Sequence, residues 1–365
     1  MIRPALRWMF LIEIVLFTAL AAVPATAEQV KLAPGVRGVA TRAPKEMKID
    51  GDLSEYKNAF ATPVEYFNAD LRNRPAQFFY MWDDEAFYAG LRTLDQKQAD
   101  QADDDHLWEG DAVEWYFDTR RGGDFRNIAW PTDPVGAVHC YWTGYKGEQV
   151  HPRFCLRPSF LQQIAKVGVQ VGARKTEHGA EVEFKLPWVN FPAFRPALGE
   201  VIGIDAELCY SDGGPRVYRS FVFGSPLSVQ QPASLGKVQL VDTFEAAHWK
   251  QCGPVMMPIR CDTAWGQPAR GHASGSIAIP PNQADQLGKI LFRITDLEGQ
   301  KLGEFPAATE VFEEAGNFAR ANASWPIDLA PPGGHQVTAI VFDKQGQELT
   351  RVAPRLVSVN MQTGY

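Results

Sequence analysis

Short runs of alternating apolar and polar residues recur along the chain, and a period of two is typical of half-buried β-strands. The pattern, with its turn residues, predicts strands at residues 78–81, 87–94, 111–118, 137–142, 166–174, 180–186, 201–210, 218–223 and 236–240. Sustained helical periodicity is nearly absent, and residues 159–165 are the one candidate for a short helix. The chain is therefore expected to be all-β, with an antiparallel β-sandwich as its main domain.

The strand at 111–118 has two contrasting faces. One face is apolar and is expected to enter a core; it carries Val113, Trp115 and Phe117. The other is acidic and aromatic and suits a wall exposed to solvent or ligand; it carries Ala112, Glu114, Tyr116 and Asp118. Trp108 precedes this strand in a polar turn, where it is either a binding platform or a cap on the core edge.

The strand pattern restarts beyond residue 243. Strands are expected at 290–296 and 337–343, and each ends in a turn with Asp followed three residues later by Gly. We therefore expect one β-sandwich at residues 28–242 and a smaller β-sandwich at residues 243–365. The stretch Leu329-Ala330-Pro331-Pro332-Gly333-Gly334-His335-Gln336-Val337 resembles the entry to a late strand in immunoglobulin-like modules, which implies that the smaller sandwich is immunoglobulin-like or fibronectin-type. This resemblance is generic and says little about function.

The N-terminus has the features of a signal peptide. Arg3 and Arg7 precede an apolar run at 8–23, and Ala25-Thr26-Ala27 fits a cleavage site. An uncleaved anchor is the alternative, but the run is short for a membrane span and contains Glu13. The mature protein should start at Glu28 and be secreted, periplasmic or on the cell surface, with no stable membrane span.

Export permits disulfide bonds, and the chain has five cysteines. A Cys252–Cys261 pair is favoured, a Cys140–Cys155 pair is a second option, and Cys209 is expected to be a buried thiol. The formal charge of −7, without clusters of Lys and Arg, argues against nucleic acid as a partner.

Five segments, in the same order, resemble motifs of the family 9 carbohydrate-binding module, a DOMON-like β-sandwich. They are Ile49-Asp50-Gly51-Asp52-Leu53, Trp82-Asp83-Asp84-Glu85-Ala86-Phe87-Tyr88, Trp108-Glu109-Gly110-Asp111-Ala112-Val113-Glu114, Glu181-Val182-Glu183-Phe184-Lys185-Leu186-Pro187-Trp188 and Gly199-Glu200-Val201-Ile202-Gly203-Ile204-Asp205. Each motif alone is weak, whereas five in order over about 200 residues are fairly specific.

The resemblance implies an exported, non-catalytic protein that binds a poly- or oligosaccharide and assists polysaccharide degradation. Trp108 stands where the family has one of its two binding tryptophans. The loop at 225–234, where the family has the other, contains no tryptophan. Candidate ligand-binding residues are therefore Trp108, Glu114, Tyr116, Trp130 and Trp142, and Tyr145 is a further candidate for the missing aromatic face.

Acidic residues on either side of Trp108 suggest two further chemistries. Asp103, Asp104 and Asp105 are candidate ligands of a structural calcium ion, with a solvated acidic loop as the alternative. Asp111 and Glu114 do not make a glycosidase pair, because residues three apart on a strand point to opposite faces. Asp111 is better explained as a hydrogen-bond acceptor at the strand start, and the chain is not expected to be an enzyme.

Two alternative functions stay open at this point. Some DOMON-like relatives hold haem through Met and His, so a haem-binding redox protein using Met81, His106 or His139 is the first alternative. A structural or adhesive module that has lost its ligand along with the second tryptophan is the other. In the carbohydrate-binding protein that the family resemblance implies, the C-terminal domain would be a spacer or docking module.

Overall fold

The computed structural model describes most of the chain beyond residue 29. The described residues are 30–64, 66–67, 76–95, 106–120, 138–146, 149–154, 167–224, 228, 231–244, 248–253, 255–256, 259–261, 272–279, 286–312, 318–329, 334–352 and 354–357. The expected signal peptide, the acidic run at 103–105, Trp130 and the helix candidate at 159–165 lie outside these ranges, so their assignments stay predictions.

The structure is almost entirely β, as the periodicity predicts. The strands are β1 (Val36–Arg42), β2 (Ala61–Pro63), β3 (Tyr66–Phe67), β4 (Ala76–Trp82), β5 (Ala86–Leu94), β6 (Ala112–Asp118), β7 (Val138–Lys146), β8 (Gln149–Phe154), β9 (Gln170–Lys175), β10 (Gly179–Pro187), β11 (Val201–Ser211), β12 (Arg216–Phe221), β13 (Gly236–Leu240), β14 (Val255–Met256), β15 (Arg260–Cys261), β16 (His272–Ile279), β17 (Leu287–Thr295), β18 (Lys301–Pro306), β19 (Ala308–Phe312), β20 (Phe318–Pro326), β21 (His335–Asp343), β22 (Glu348–Arg351) and β23 (Arg355–Val357). Short 3-10 helices lie at Leu53–Asn58, Leu107–Glu109, Trp188–Asn190, Pro232–Ser234 and Ile327–Leu329, and a short α-helix at Trp249–Cys252.

Strand β1 joins the two sheets of the first sandwich. Its residues from Val36 to Ala40 pair in parallel with β13, and Thr41 and Arg42 then pair in parallel with β4. Sheet A has the order β8-β7-β6-β11-β13, with β12 and β3 paired beyond β11. Sheet B has the order β4-β5-β10-β9, with β2 paired to β4. Both predicted hairpins, β4–β5 and β9–β10, are present.

Large aromatic side chains fill the space between sheets A and B. Trp115 of β6 is fully buried and stacks on Phe184 of β10, and Phe78 of β4 meets the Trp115 ring edge-on at 5.6 Å. Phe117 and Val113 belong to the same buried cluster. The prediction that these alternate residues of β6 face a core is therefore confirmed.

The outer face of sheet B carries the first of the family-like motifs. Glu183 of β10 stands between Gly90 and Gly172 in the strand register, so two glycines flank one long side chain. A Cβ atom on Gly172 would lie 2.8 Å from the Gly51 nitrogen, and one on Gly90 would lie 3.0 Å from Leu53. The two glycines thus form a trough for the segment 49–56, and Glu183 Oε2 accepts hydrogen bonds from the Asp50 and Gly51 amides at 3.0 and 2.7 Å.

The strands after residue 254 form two further five-stranded sheets. Sheet C has the order β14-β16-β20-β19, with β15 on β16, and sheet D has the order β18-β17-β21-β22, with β23 on β21. Phe292 and Trp325 stack between them at 6.0 Å. The predicted turns are present: the Asp296 and Asp343 carboxylates accept backbone amides, and Gly299 and Gly346 have φ of 89° and 82°. The immunoglobulin-like assignment and the boundary at 242/243 stay predictions.

The segment after β13 still packs on the first sandwich. Phe244 stacks on Phe60 at 4.4 Å, and Cys252 belongs to an apolar cluster with Val36 and Val39 of β1. Cys252 is a free, buried thiol, and burial raises its pKa to about 12. The predicted Cys252–Cys261 disulfide is therefore wrong.

Two other sequence expectations concern the thiols and the membrane. Cys140 is likewise in no disulfide bond, so the predicted Cys140–Cys155 option is wrong, whereas Cys209 is a buried thiol, as predicted. In the part of the chain that the structure describes, no helix has both the length and the apolar character needed to cross a membrane.

Candidate functional site

The outer face of sheet A brings together several of the predicted site residues. Glu114 of β6 has Glu207 of β11 as its Cα partner on one side and Trp142 of β7 on the other. Tyr116 stands one step further along the face, between Asp205 and Cys140. Three of the five predicted residues thus occupy neighbouring positions on one surface, which we call the sheet A outer face.

Glu114 and Tyr116 are buried, with exposures of 4% and 0%. The expectation that they form a wall open to solvent is therefore wrong. The Tyr116 hydroxyl lies 2.6 Å from Glu114 Oε2 and 3.1 Å from Glu207 Oε2. Burial, together with the neighbouring carboxylates, raises the pKa of Tyr116 well above its ordinary value. The phenol therefore stays protonated and can donate a hydrogen bond to a carboxylate.

Two arginines of β12 complete this cluster, and the sequence analysis missed both. Arg219 donates to both oxygens of the Glu207 carboxylate, and its Nη2 lies 2.7 Å from Oε2. Arg216 Nη1 lies 3.3 Å from Glu207 Oε1. Hydrogen bonding to Glu207 raises the pKa of Arg219 above its already high value. The signal was an isolated Glu207 inside an apolar strand, because a buried carboxylate requires a partner.

The cluster also has the side chains of a potential metal site, since ligand atoms of Glu114, Glu207 and Cys209 lie within 4.8 Å of one another. The donor set does not fit a cation. Arg216 and Arg219 already pair with the Glu207 carboxylate, and the Tyr116 hydroxyl donates a hydrogen bond to Glu114. Burial raises the Cys209 pKa far enough to keep the thiol protonated. The predicted calcium ligands at 103–105 lie outside the described residues, so the calcium site stays a prediction.

Trp108 lies at the edge of this face on a short 3-10 helix, Leu107–Glu109. Leu107 is buried and packs where a side chain on Gly144 would stand, 3.1 Å from that glycine's ideal Cβ position. Trp108 itself is partly exposed, with its ring 4.9 Å from the ring of His106. The tryptophan is therefore held at the surface by its buried neighbour.

Asp111 has the structural role that its position predicts. Its carboxylate accepts hydrogen bonds from the Ser211 amide at 2.8 Å and the Ser211 hydroxyl at 3.2 Å. These bonds tie the start of β6 to the end of β11. Asp111 thereby fixes the turn from which Trp108 projects.

The candidate haem ligands are not brought together. Met81 is buried in the apolar cluster under Tyr56 and Tyr88, on the outer face of sheet B. His106 lies beside Trp108 on the opposite side of the sandwich. His139 belongs to β7, but its side chain is not among the described ones. Met81 and His106 therefore do not form an axial pair.

The described residues of the first sandwich thus form two packed sheets with a partly exposed tryptophan at the edge of one of them. The model of the carbohydrate family 9 binding domain-like family matches residues 49–243, more than half of the chain. The chain belongs to this family. No curated protein is a detectable relative of the sequence.

The similar solved structures include two of a family 9 carbohydrate-binding module from Caldicellulosiruptor kristjanssonii. The complex with cellotriose is 16% identical, with a TM-score of 0.45, over 57% of this chain and 96% of that chain. The complex with glucose is 18% identical, with a TM-score of 0.44 and the same coverage.

Proposed function

We propose that this protein is an exported, non-catalytic carbohydrate-binding protein that assists polysaccharide degradation. The observation that carries the proposal is membership of a carbohydrate-binding family together with the surface position of Trp108. Export rests on the signal-like residues 1–27. The ligand class is a poly- or oligosaccharide.

Trp108 is the proposed sugar platform. Pyranose rings present apolar C–H faces, and flat aromatic side chains are the groups that cover them. Trp108 offers such a face while Leu107 and Asp111 hold its backbone on the sandwich. Trp130 and Trp142 remain the candidates for a second aromatic face.

Arg216 and Arg219 are the proposed hydrogen-bonding partners of the sugar hydroxyls. Their side chains are 24% and 26% exposed, so a ligand can reach the guanidinium edges. Glu207 fixes their geometry from below, and rigid planar donors suit recognition of hydroxyl oxygens. Glu114 and Tyr116, being buried, support this arrangement from beneath.

The same cluster argues against hydrolysis. A glycosidase needs two carboxyl groups about 5 to 9.5 Å apart, on either side of the scissile bond. Carboxylate oxygens of Glu114 and Glu207 lie within 4.8 Å of each other, and both side chains are buried and hydrogen-bonded to Tyr116. Neither carboxylate can flank a sugar, which supports a binding role.

Residues 243–365 would act as a spacer or docking module.

A glycan array probed with the intact protein tests the proposal. We expect selective binding to a related set of glycans, and loss of that signal in Trp108→Ala. Binding to none of the glycans would contradict the proposed function. A Soret band in the absorption spectrum of the purified protein would favour the haem alternative instead.

A further inference from the structure

Asp205 is a fully buried carboxylate beside the candidate site. It lies on β11 two residues before Glu207, so both side chains project from the same face of the strand. Its Cα partner on β6 is Tyr116. Asp205 therefore borders the sheet A outer face.

Both carboxylate oxygens of Asp205 accept hydrogen bonds. Oδ1 accepts the Ala206 and Phe223 amides at 2.9 and 3.0 Å. Oδ2 accepts the Gly224 amide at 3.0 Å and the Ser228 hydroxyl at 2.6 Å. Three of these four donors belong to the segment that follows β12. The buried Asp205 side chain thus accepts hydrogen bonds from residues that are up to five positions apart in that segment.

The local packing leaves little freedom for this arrangement. A Cβ on Gly224 would lie 2.1 Å from the Ser228 hydroxyl and 2.4 Å from Asp205 Oδ2, so only glycine fits there. Phe223 is buried with its ring over Gly236, whose ideal Cβ would lie 2.3 Å from the ring. The Ser234 hydroxyl lies 3.1 Å from that of Ser228 and extends the polar chain to the end of the segment.

We infer that Asp205 and Ser228 are positioning residues for carbohydrate recognition: the hydrogen bonds of Asp205 fix Phe223, Gly224 and Ser228, which follow β12, against the sheet A outer face, beside Tyr116. The inference rests on the proposed function, because it assigns this segment to the border of the same site. A buried carboxylate with four donors suits the task, since charge-assisted hydrogen bonds are the stronger ones and have defined geometry. Neither residue touches the sugar in this account.

Ser228→Ala is the informative variant, because it removes one of the four hydrogen bonds to Asp205, together with the Ser234 contact, and keeps the other three bonds to Asp205. Ser220→Ala is the matched control: Ser220 is on the adjacent strand, is fully buried, and its hydroxyl has no hydrogen-bond partner in the described structure. Asp205→Asn is the stronger change, which removes the charge at nearly constant size. All three are made in the intact protein and tested with a glycan that the wild type binds on the array.

Hydrogen exchange and sugar titration are measured on each variant. For Ser228→Ala we expect the Phe223 and Gly224 amides to exchange about tenfold faster and the affinity for the glycan to fall about three- to tenfold, roughly the effect of one hydrogen bond. Ser220→Ala should change neither readout. For Asp205→Asn both effects should be larger.

Unchanged affinity in both Ser228→Ala and Asp205→Asn would overturn the role in recognition. Unchanged amide exchange would overturn the anchoring itself. If the wild-type protein binds no glycan, the proposed function fails and the role in recognition fails with it. The exchange data would still decide whether Asp205 holds the segment, so the two failures are distinguishable.

Discussion

Trp115 and Phe184 stack face to face across the sandwich, with ring centroids 5.6 Å apart and ring planes inclined by 6°. Removing Trp115 would leave a large cavity between sheets A and B. We expect Trp115→Ala to lower the free energy of unfolding by roughly 3–5 kcal/mol, as for other buried large aromatics. Urea denaturation followed by circular dichroism measures the change.

Trp108→Ala is the matched comparison, because Trp108 lies seven residues earlier but is partly exposed. We expect a loss under about 1 kcal/mol, as for surface substitutions. Equal losses in the two variants would mean that Trp108 is a core residue.

Gly51 is expected to tolerate no side chain. It has φ of 88°, and a Cβ there would lie 2.5 Å from the carbonyl carbon of Ala173. Gly213 has φ of 93° but nothing within 4 Å of its ideal Cβ position. We expect Gly213→Ala to lower the free energy of unfolding by about 1–2 kcal/mol through left-handed strain alone. Gly51→Ala should lower it further, and equal denaturation midpoints would contradict the close approach.

Glu183 should make the protein less stable as the pH rises. It is fully buried, and burial raises its pKa from 4.5 to about 7, with further upward effects from Glu55 and Asp50; the two amide bonds oppose this. The folded protein therefore holds this proton more tightly than the unfolded chain. The stabilisation is complete below about pH 4.5 and is lost as the pH rises through about 7.

Glu183→Gln removes this ionisation while keeping an oxygen for the Asp50 and Gly51 amides. The stability of the variant relative to wild type should therefore increase between about pH 4.5 and pH 8. Some pH dependence should remain, because burial also raises the pKa of Asp205 to about 6. Urea midpoints across this range measure the difference, and a difference independent of pH would contradict the assignment.

The ion pair between Arg219 and Glu207 should matter far more than a surface pair. Glu207 is fully buried, so Arg219→Ala leaves a buried carboxylate with Arg216 as its remaining cation. We expect a loss of about 3 kcal/mol, at the low end for breaking a buried pair. Arg351 pairs with Glu348 on the surface, and Arg351→Ala should cost under about 1 kcal/mol. Similar losses would mean that the Glu207 carboxylate is solvated.

The packing of Phe244 and Cys252 on β1 gives a test of the predicted boundary. A fragment of residues 28–253 should keep the stack of Phe244 on Phe60 and the contact of Cys252 with Val36, whereas 28–242 loses both. We expect both fragments to fold and the longer one to have the higher melting temperature. If neither fragment folds, the first sandwich is not independent of residues 254–365.

Alternation was sufficient to predict the core face of β6 and the hairpins. A strand has a strict period of two, so Val113, Trp115 and Phe117 share a face whatever surrounds them. The same argument could not predict that Glu114 and Tyr116 are buried. Alternation identifies which residues share a face but not what covers that face. Here the arginines of β12, whose place beside β11 depends on tertiary pairing, lie over the polar side.

The disulfide prediction failed for a related reason. Cys252 and Cys261 are close in sequence, but Cys252 turns into the apolar cluster against β1. Short sequence spacing permits a bond only if the Cβ atoms face each other, and spacing alone does not show this. The trough that Gly90 and Gly172 form around Glu183 could not be predicted from the sequence either, because it depends on the register of three strands.

Calorimetric titration of wild type, Trp108→Ala and Ser220→Ala with the best glycan from the array tests the central claim most directly. The claim is that Trp108 is the sugar platform of this family 9 module. We expect wild type and Ser220→Ala to bind with equal affinity, and Trp108→Ala to keep its melting temperature while losing at least about tenfold in affinity, a typical loss for a central aromatic contact. Binding of Trp108→Ala at wild-type affinity would contradict the claim and place the site elsewhere on the protein.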